Sequence, residues 1–186
     1  MEKLEKFVVD YINHGDYNIA AEFILDKGVN PNITSTRTNV TTLMKLIQTK
    51  QEFLAFQMLA LPTINVNQKD VLNNTAYFYA ACSATMPLLE KMIENPDFDP
   101  NEVNHKKLNM AMYFCLYKID SENPDQREIS FLHTLIKQKK LNYFATATDV
   151  GNLSLAYLLA LKKNIPIDFL TPYFLFDQRL FYVLFL

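Results

Sequence analysis

The side chains best suited to chemistry are few: Cys82 and Cys115, and three histidines, His14, His105 and His133. A catalytic thiol needs a general base within reach, and Cys82 with His105 is the pair to weigh. No glycine turn or motif flanks Cys82, so a small, semi-buried thiol at the end of a helix is the better reading. No histidine stands at metal-ligand spacing from another His or from a Cys. Asp97, Asp99 and Glu102 form the densest carboxylate group, but it lacks the central glycine and distal glutamate of a calcium loop. Nor does it resemble a glycosidase pair set in a cleft; helix capping and loop solvation account for it. Lys106-Lys107 and Lys137-Gln-Lys139-Lys140 read as solvated faces. The expectation is a non-enzyme with no metal and no cofactor.

Composition narrows the classes further. The 186 residues suit one domain or two small ones and can bury a sizeable core. An apolar fraction of 49% with 20% charged residues excludes a disordered chain. A net charge of -2 and a pI near 5.9 provide no global basic field, which argues against nucleic acid as a partner. No uncharged apolar run reaches the length of about eighteen residues that a spanning helix needs. The start, charged before the short apolar run Phe7-Val8-Val9, carries no secretory leader. Two cysteines without a disulfide framework fit a reducing, cytoplasmic setting. Seventeen asparagines, and aromatic residues without Trp, read as codon bias of an AT-rich genome. Three glycines, Gly15, Gly28 and Gly151, are too few for a sheet of tight hairpins or a phosphate-cradling loop.

These residues must be positioned by helices that recur. Asn39-Val-Thr41-Thr-Leu43-Met-Lys-Leu46-Ile47 is followed by Phe53-Leu-Ala-Phe56-Gln-Met-Leu59 and then Ile64-Asn-Val-Asn67-Gln-Lys-Asp70. Thirty-four residues after Thr41 comes Asn74-Thr75-Ala-Tyr77-Phe-Tyr-Ala80-Ala81, then Leu88-Leu-Glu-Lys-Met92-Ile93 and Phe98-Asp-Pro-Asn101. Each unit reads as a short helix, a turn, a second apolar-periodic helix and an extended Asn/Asp-rich connection. Asn109-Met-Ala111-Met-Tyr-Phe114-Cys115 begins a third unit, with its second helix over 129–136. Leu153-Ser-Leu155-Ala-Tyr-Leu158-Leu159 begins a fourth.

The pattern resembles the ankyrin repeat. Thr41 and Thr75 stand at the family's threonine, Leu43 and Tyr77 at its leucine, and Ala80-Ala81 at its paired alanines. Ile64-Asn-Val-Asn67 with Asp70 resembles its A-D-V-N-x-x-D connection, and Asp99-Pro-Asn101 the same place one unit on. Thr42 and Ala76 replace its proline, Met44 and Phe78 its histidine, and Lys50 and Ala84 its mid-turn glycine. The resemblance implies an all-α solenoid of stacked helix-turn-helix repeats with hairpin-like connections. In this register residues 1–32 form an N-terminal capping half-repeat, 33–68 repeat 1 and 69–102 repeat 2. Residues 103–147 form repeat 3 with an insertion at 118–128, and 148–186 a degenerate fourth repeat with an apolar helical cap. A left-handed residue is expected before each first helix; Asn39, Asn73 and Gly151 fill that place. Lys107 fills it in the third unit, where a distorted hairpin is expected. Asn39-Val-Thr41, Asn73-Asn-Thr75 and Asn152-Leu-Ser154 are then products of turn chemistry, not glycosylation sites.

Residues 3–28 read as a capping pair, with Leu4, Phe7, Val8, Tyr11 and Ile12 at helical spacing and Glu5, Lys6 and Asp10 on the other side. The family resemblance further implies a protein-binding module, an adaptor or inhibitor, with a host-directed effector of an intracellular pathogen or virus included. Its partner would be another protein, met by hairpin tips and the inward face of the first helices. The exposed positions expected there are Arg37, Thr38, Val40, Gln48 and Thr49, then Val71, Leu72, Asn74, Cys82 and Ser83. His105, Lys106, Leu108, Leu116 and Tyr117 follow in the third unit. The alternative is a self-associating structural subunit that docks through the apolar residues 172–186; a final core helix is the other reading of that segment.

Overall fold

Local sequence sets where each helix of this computed structural model starts and stops. The structure describes residues 2–119, 125–138, 141, 146–147 and 153–154. Gly151, the core of the insertion at 120–124 and residues 155–186 of the expected fourth repeat and apolar cap lie outside the described residues. Two compact units divide the chain, Met1–Phe98 and Asp99–Leu186.

The first unit holds six helices: α1 (Glu2–His14), α2 (Tyr17–Lys27), α3 (Thr42–Gln48), α4 (Glu52–Leu59), α5 (Ala76–Ser83) and α6 (Met86–Ile93). Gly15 bends the chain between α1 and α2 with a φ of 92°. Gly28 ends α2 in the left-handed conformation (φ 62°), its N–H donating to Ile24 O at 3.0 Å, the usual glycine stop. Thr41 caps α3: its Oγ accepts the Met44 N–H at 3.2 Å, while the Thr41 N–H donates to Met44 Sδ at 3.5 Å. Thr75 precedes α5 in the same extended conformation without a side-chain cap bond.

Helices pair along the chain, α1 with α2, α3 with α4 and α5 with α6. Across pairs, α3 packs on α5, and α4 on both α2 and α6. The pairs therefore bury one another, which short helices cannot do alone. Leu43, Met44, Leu46 and Ile47 of α3 are at most 1% exposed. Ala80 and Ala81 of α5 and Ala55 of α4 are fully buried, small residues where helices pack on one another. Each large core side chain contributes about 1.5–3 kcal/mol by leaving water. Leu88, Leu89, Met92 and Ile93 do the same on α6. At the first pair Val8 and Ile12 are buried as their spacing predicts, but Phe7 is 43% exposed, so the apolar stripe of α1 is narrower than the sequence suggests.

Asparagine carboxamides tie the extended connections together. Asn32 Nδ2 donates to Thr63 O at 2.8 Å, and Asn32 Oδ1 accepts the Asn65 N–H at 2.7 Å. Asn67 Nδ2 repeats the step to Asp97 O at 2.9 Å. Within each connection Asn30, Asn65 and Asn95 accept the N–H two residues on, the local Asx turn. A different bridge links helices: Glu52 of α4 accepts the N–H and the hydroxyl of Thr85, the residue preceding α6, at 2.8 and 2.7 Å.

The second unit contains α7 (Met110–Tyr117), α8 (Gln126–Gln138), β1 (Thr146–Ala147) and β2 (Leu153–Ser154). Asn109 caps α7, its Oδ1 accepting the Met112 N–H at 2.9 Å. Phe114 of α7 and Phe131 of α8 pack with ring centroids 5.1 Å apart, beside buried Leu132 and Leu135. The strands pair antiparallel, Thr146 opposite Ser154. Leu153 and Ser154 are therefore strand residues, where the sequence reading begins a fourth helix pair. Isolated bridges of the same sense, Thr34 with Thr41 and Val103 with Asn109, precede α3 and α7.

Candidate protein-binding surface

Three turns share one hydrogen-bonding scheme. In each, a polar residue opens the turn, its side chain accepts the N–H of the closing residue, and its own N–H donates back to that residue's carbonyl. Over residues 35–40 the Val40 N–H donates to Ser35 Oγ at 3.2 Å and the Ser35 N–H to Val40 O at 2.9 Å. Over residues 70–74 the Asn74 N–H donates to Asp70 Oδ1 at 2.8 Å and the Asp70 N–H to Asn74 O at 3.0 Å. Over residues 104–108 the Leu108 N–H donates to Asn104 Oδ1 at 3.2 Å and the Asn104 N–H to Leu108 O at 3.0 Å. The residue before each closure has positive φ: Asn39 53°, Asn73 57° and Lys107 59°.

Asp70 is the most heavily engaged of the three. Its Oδ1 also accepts the Leu72 N–H at 2.8 Å, and its Oδ2 accepts Asn74 Nδ2 at 3.1 Å and the Tyr79 hydroxyl at 2.8 Å. The carboxylate is satisfied internally, as burial to 5% exposure demands. The first two turns are also joined to each other, the Val71 N–H donating to Thr38 O at 3.0 Å. Asn13 Oδ1, on α1, accepts the Thr36 N–H at 3.1 Å and anchors the first turn from behind.

This geometry sorts the expected contact residues. Arg37, Thr38, Val71, Leu72, His105 and Lys106 are exposed at the tips. Gln48 and Thr49 are exposed at the end of α3, and Cys82 and Ser83 are half-buried at the end of α5. Leu116 and Tyr117, 37% and 58% exposed, lie at the end of α7. Val40, Asn74 and Leu108 do not belong to the surface: they are 4%, 8% and 1% exposed. Each is the closing residue of its turn, where the left-handed residue before it returns the chain to the interior. Leu108 therefore drops out of the exposed positions expected in the third unit. Nor is the hairpin at Lys107 distorted, because Asn104 Oδ1 accepts the Lys106 and Leu108 N–H groups as Asp70 Oδ1 accepts those of Leu72 and Asn74 one turn earlier.

One exposed feature went unread in the sequence. Phe53, 76% exposed, and Phe56, 37% exposed, project from α4. The helix is apolar on nearly every face, so periodicity could not separate its inner side from its outer one. Hairpin placement itself holds for His105, while His14 closes α1 with its ring at 2.6 Å from Asp10 O. Cys82 lies on α5 in the first unit and His105 in a turn of the second. Neither Cys82 nor Cys115 is in a disulfide.

Tyr77, at the place of Leu43 one period on, is 3% exposed, and its hydroxyl has no hydrogen-bond partner among the described residues. Burial first, and the Asp97 carboxylate second, hold its phenol well above the ordinary tyrosine pKa. Its ring packs on Phe98 at 4.6 Å between centroids.

The chain matches no known protein-family model and no curated protein. Among the described residues no group of three or more His, Cys, Asp or Glu is placed to hold a metal ion. Among the same residues no helix is long and apolar enough to cross a membrane. Residues 172–186, on which self-association would rest, lie outside the described residues.

Proposed function

We propose that this protein is a non-enzymatic binding module of the ankyrin-repeat type, an adaptor or inhibitor that receives a partner protein on the turn tips of its first unit. The observation that carries the reading is Val71 with Leu72. These adjacent side chains are 56% and 46% exposed on a tip whose backbone is fixed by Asp70 and tied to the neighbouring turn. Large aliphatic side chains on a rigid tip gain by burial, about 1.5–3 kcal/mol each when fully covered. Little ordering entropy opposes them, since the tip is already held. The 34-residue interval between the starts of α3, α5 and α7, at residues 42, 76 and 110, supports the repeat-type assignment. So does the recurrence of a left-handed residue before each.

Affinity capture from a cell lysate tests the reading with two surface variants. Wild type and Phe53→Glu should recover the same protein, and Leu72→Glu should lose it. Undiminished recovery by Leu72→Glu would sink the assignment to the tips.

A further inference from the structure

We infer that the segment received on these tips is an acidic polypeptide stretch carrying aliphatic or aromatic side chains beside its carboxylates; this rests on the protein-binding reading above. The chain as a whole is slightly acidic, with 20 Asp and Glu against 18 Lys and Arg. Its turn tips are not. Arg37 is the ionisable residue of the first tip; it is exposed and makes no ion pair among the described residues. The second tip follows Lys69, and its one carboxylate, Asp70, is buried and consumed by four internal hydrogen bonds. The third tip, in the other unit, presents His105, Lys106 and Lys107. No tip exposes a carboxylate.

The Thr38 carbonyl accepting the Val71 N–H at 3.0 Å makes the first two tips neighbours. Arg37 and the Val71–Leu72 pair accordingly flank one junction: a guanidinium without a counter-charge on one side, two aliphatic side chains on the other. An apolar side chain laid on Leu72 displaces water from the junction, and a carboxylate on Arg37 completes a charge-assisted pair there. A lysine-bearing segment would meet like charge at Arg37. Nucleic acid would satisfy Arg37, but it would leave the aliphatic pair against a phosphate backbone, and these two tips carry no aromatic side chain on which a base could stack.

A random peptide library displayed on phage, panned on the full chain at about 0.1 M salt, reads this directly. Enriched peptides should combine Asp or Glu with large apolar residues. As synthetic peptides, they should bind about tenfold more weakly to Arg37→Glu and to Leu72→Ser, and more weakly at high salt. Circular dichroism of both variants should match wild type, because both positions are exposed. Apolar peptides without acid that are lost with Leu72→Ser but not with Arg37→Glu would overturn this inference and leave the binding module standing. No enrichment over the Leu72→Ser chain would overturn both. Binding of a labelled single-stranded oligonucleotide that competes with the peptides would overturn the assignment to a polypeptide.

Discussion

In the turn over residues 35–40 a serine hydroxyl accepts one backbone N–H, whereas in the turn over 70–74 a buried carboxylate accepts four hydrogen bonds. The helices that follow differ in the same spirit. Thr41 caps α3 through its own oxygen, while Thr75 makes no cap bond before α5. Lys50 turns the chain between α3 and α4 with φ 60°; Ala84 makes the corresponding turn in an extended conformation with φ -73°. The helices recur at one interval, yet the atoms that fix their ends differ, and between the paired helices so does the backbone. What repeats is the demand, a satisfied turn and a covered helix end, and several side chains can meet it.

The largest expected break in that parallel comes from the two turn-opening residues. Asp70→Ala removes the carboxylate that accepts from the Leu72 and Asn74 N–H groups and the Tyr79 hydroxyl, and should remove about 2–3 kcal/mol of stability in urea unfolding. Ser35→Ala strands fewer partners and should remove about 1 kcal/mol. Asp70→Asn keeps an oxygen for both N–H groups, as Asn104 does, and should fall between. Equal losses at Ser35 and Asp70 would contradict the ordering.

A smaller effect of opposite sign separates the two first helices. Thr42 is the first residue of α3, its hydroxyl is buried with no hydrogen-bond partner among the described residues, and Thr41 before it is already extended at ψ 163°. Thr42→Pro should therefore stabilise by about 1 kcal/mol. Ala76 holds the matching place in α5, but its N–H donates to Val66 O at 3.3 Å. Ala76→Pro deletes that bond and should destabilise, so a rise in melting temperature for both variants would refute the distinction.

The smallest effect compares Leu43 with Tyr77. Tyr77→Phe removes a buried hydroxyl that has no partner and should gain about 0.5 kcal/mol at neutral pH. Its raised folded-state pKa means the neutral phenol contributes fully below about pH 10, and that contribution is lost as pH climbs toward the folded value. Alkaline denaturation should therefore begin at higher pH in the Phe variant. Coincident alkaline curves would show that Tyr77 does not titrate with unfolding.

Helix starts were legible because they rest on local, countable signals: Thr41, Thr75 and Asn109 at one interval, with Asn39, Asn73 and Lys107 in left-handed backbone just ahead. The helical class of the chain from α1 to α8 followed from them. What could not be read was inward against outward. Val40, Asn74 and Leu108 sit one residue past a left-handed turn, where a sequence shows an apolar or amide side chain but not its direction. Phe53 was hidden by a helix apolar all round. The abundance of asparagine also has a reason that composition alone misses, since Asn30, Asn32, Asn65, Asn67, Asn95, Asn104 and Asn109 each hold a turn, a cap or a neighbouring connection.

The bridge from Asn32 to Thr63 and Asn65, with its echo from Asn67 to Asp97, acts as a ruler laid along the chain. A residue deleted between two rungs draws donor and acceptor out of step at both ends, whatever the loss in the core. Removing the whole interval instead brings like groups back into line. Over the first unit, lineages of this sequence should therefore change length by entire periods, and single-residue gaps should collect away from the rungs.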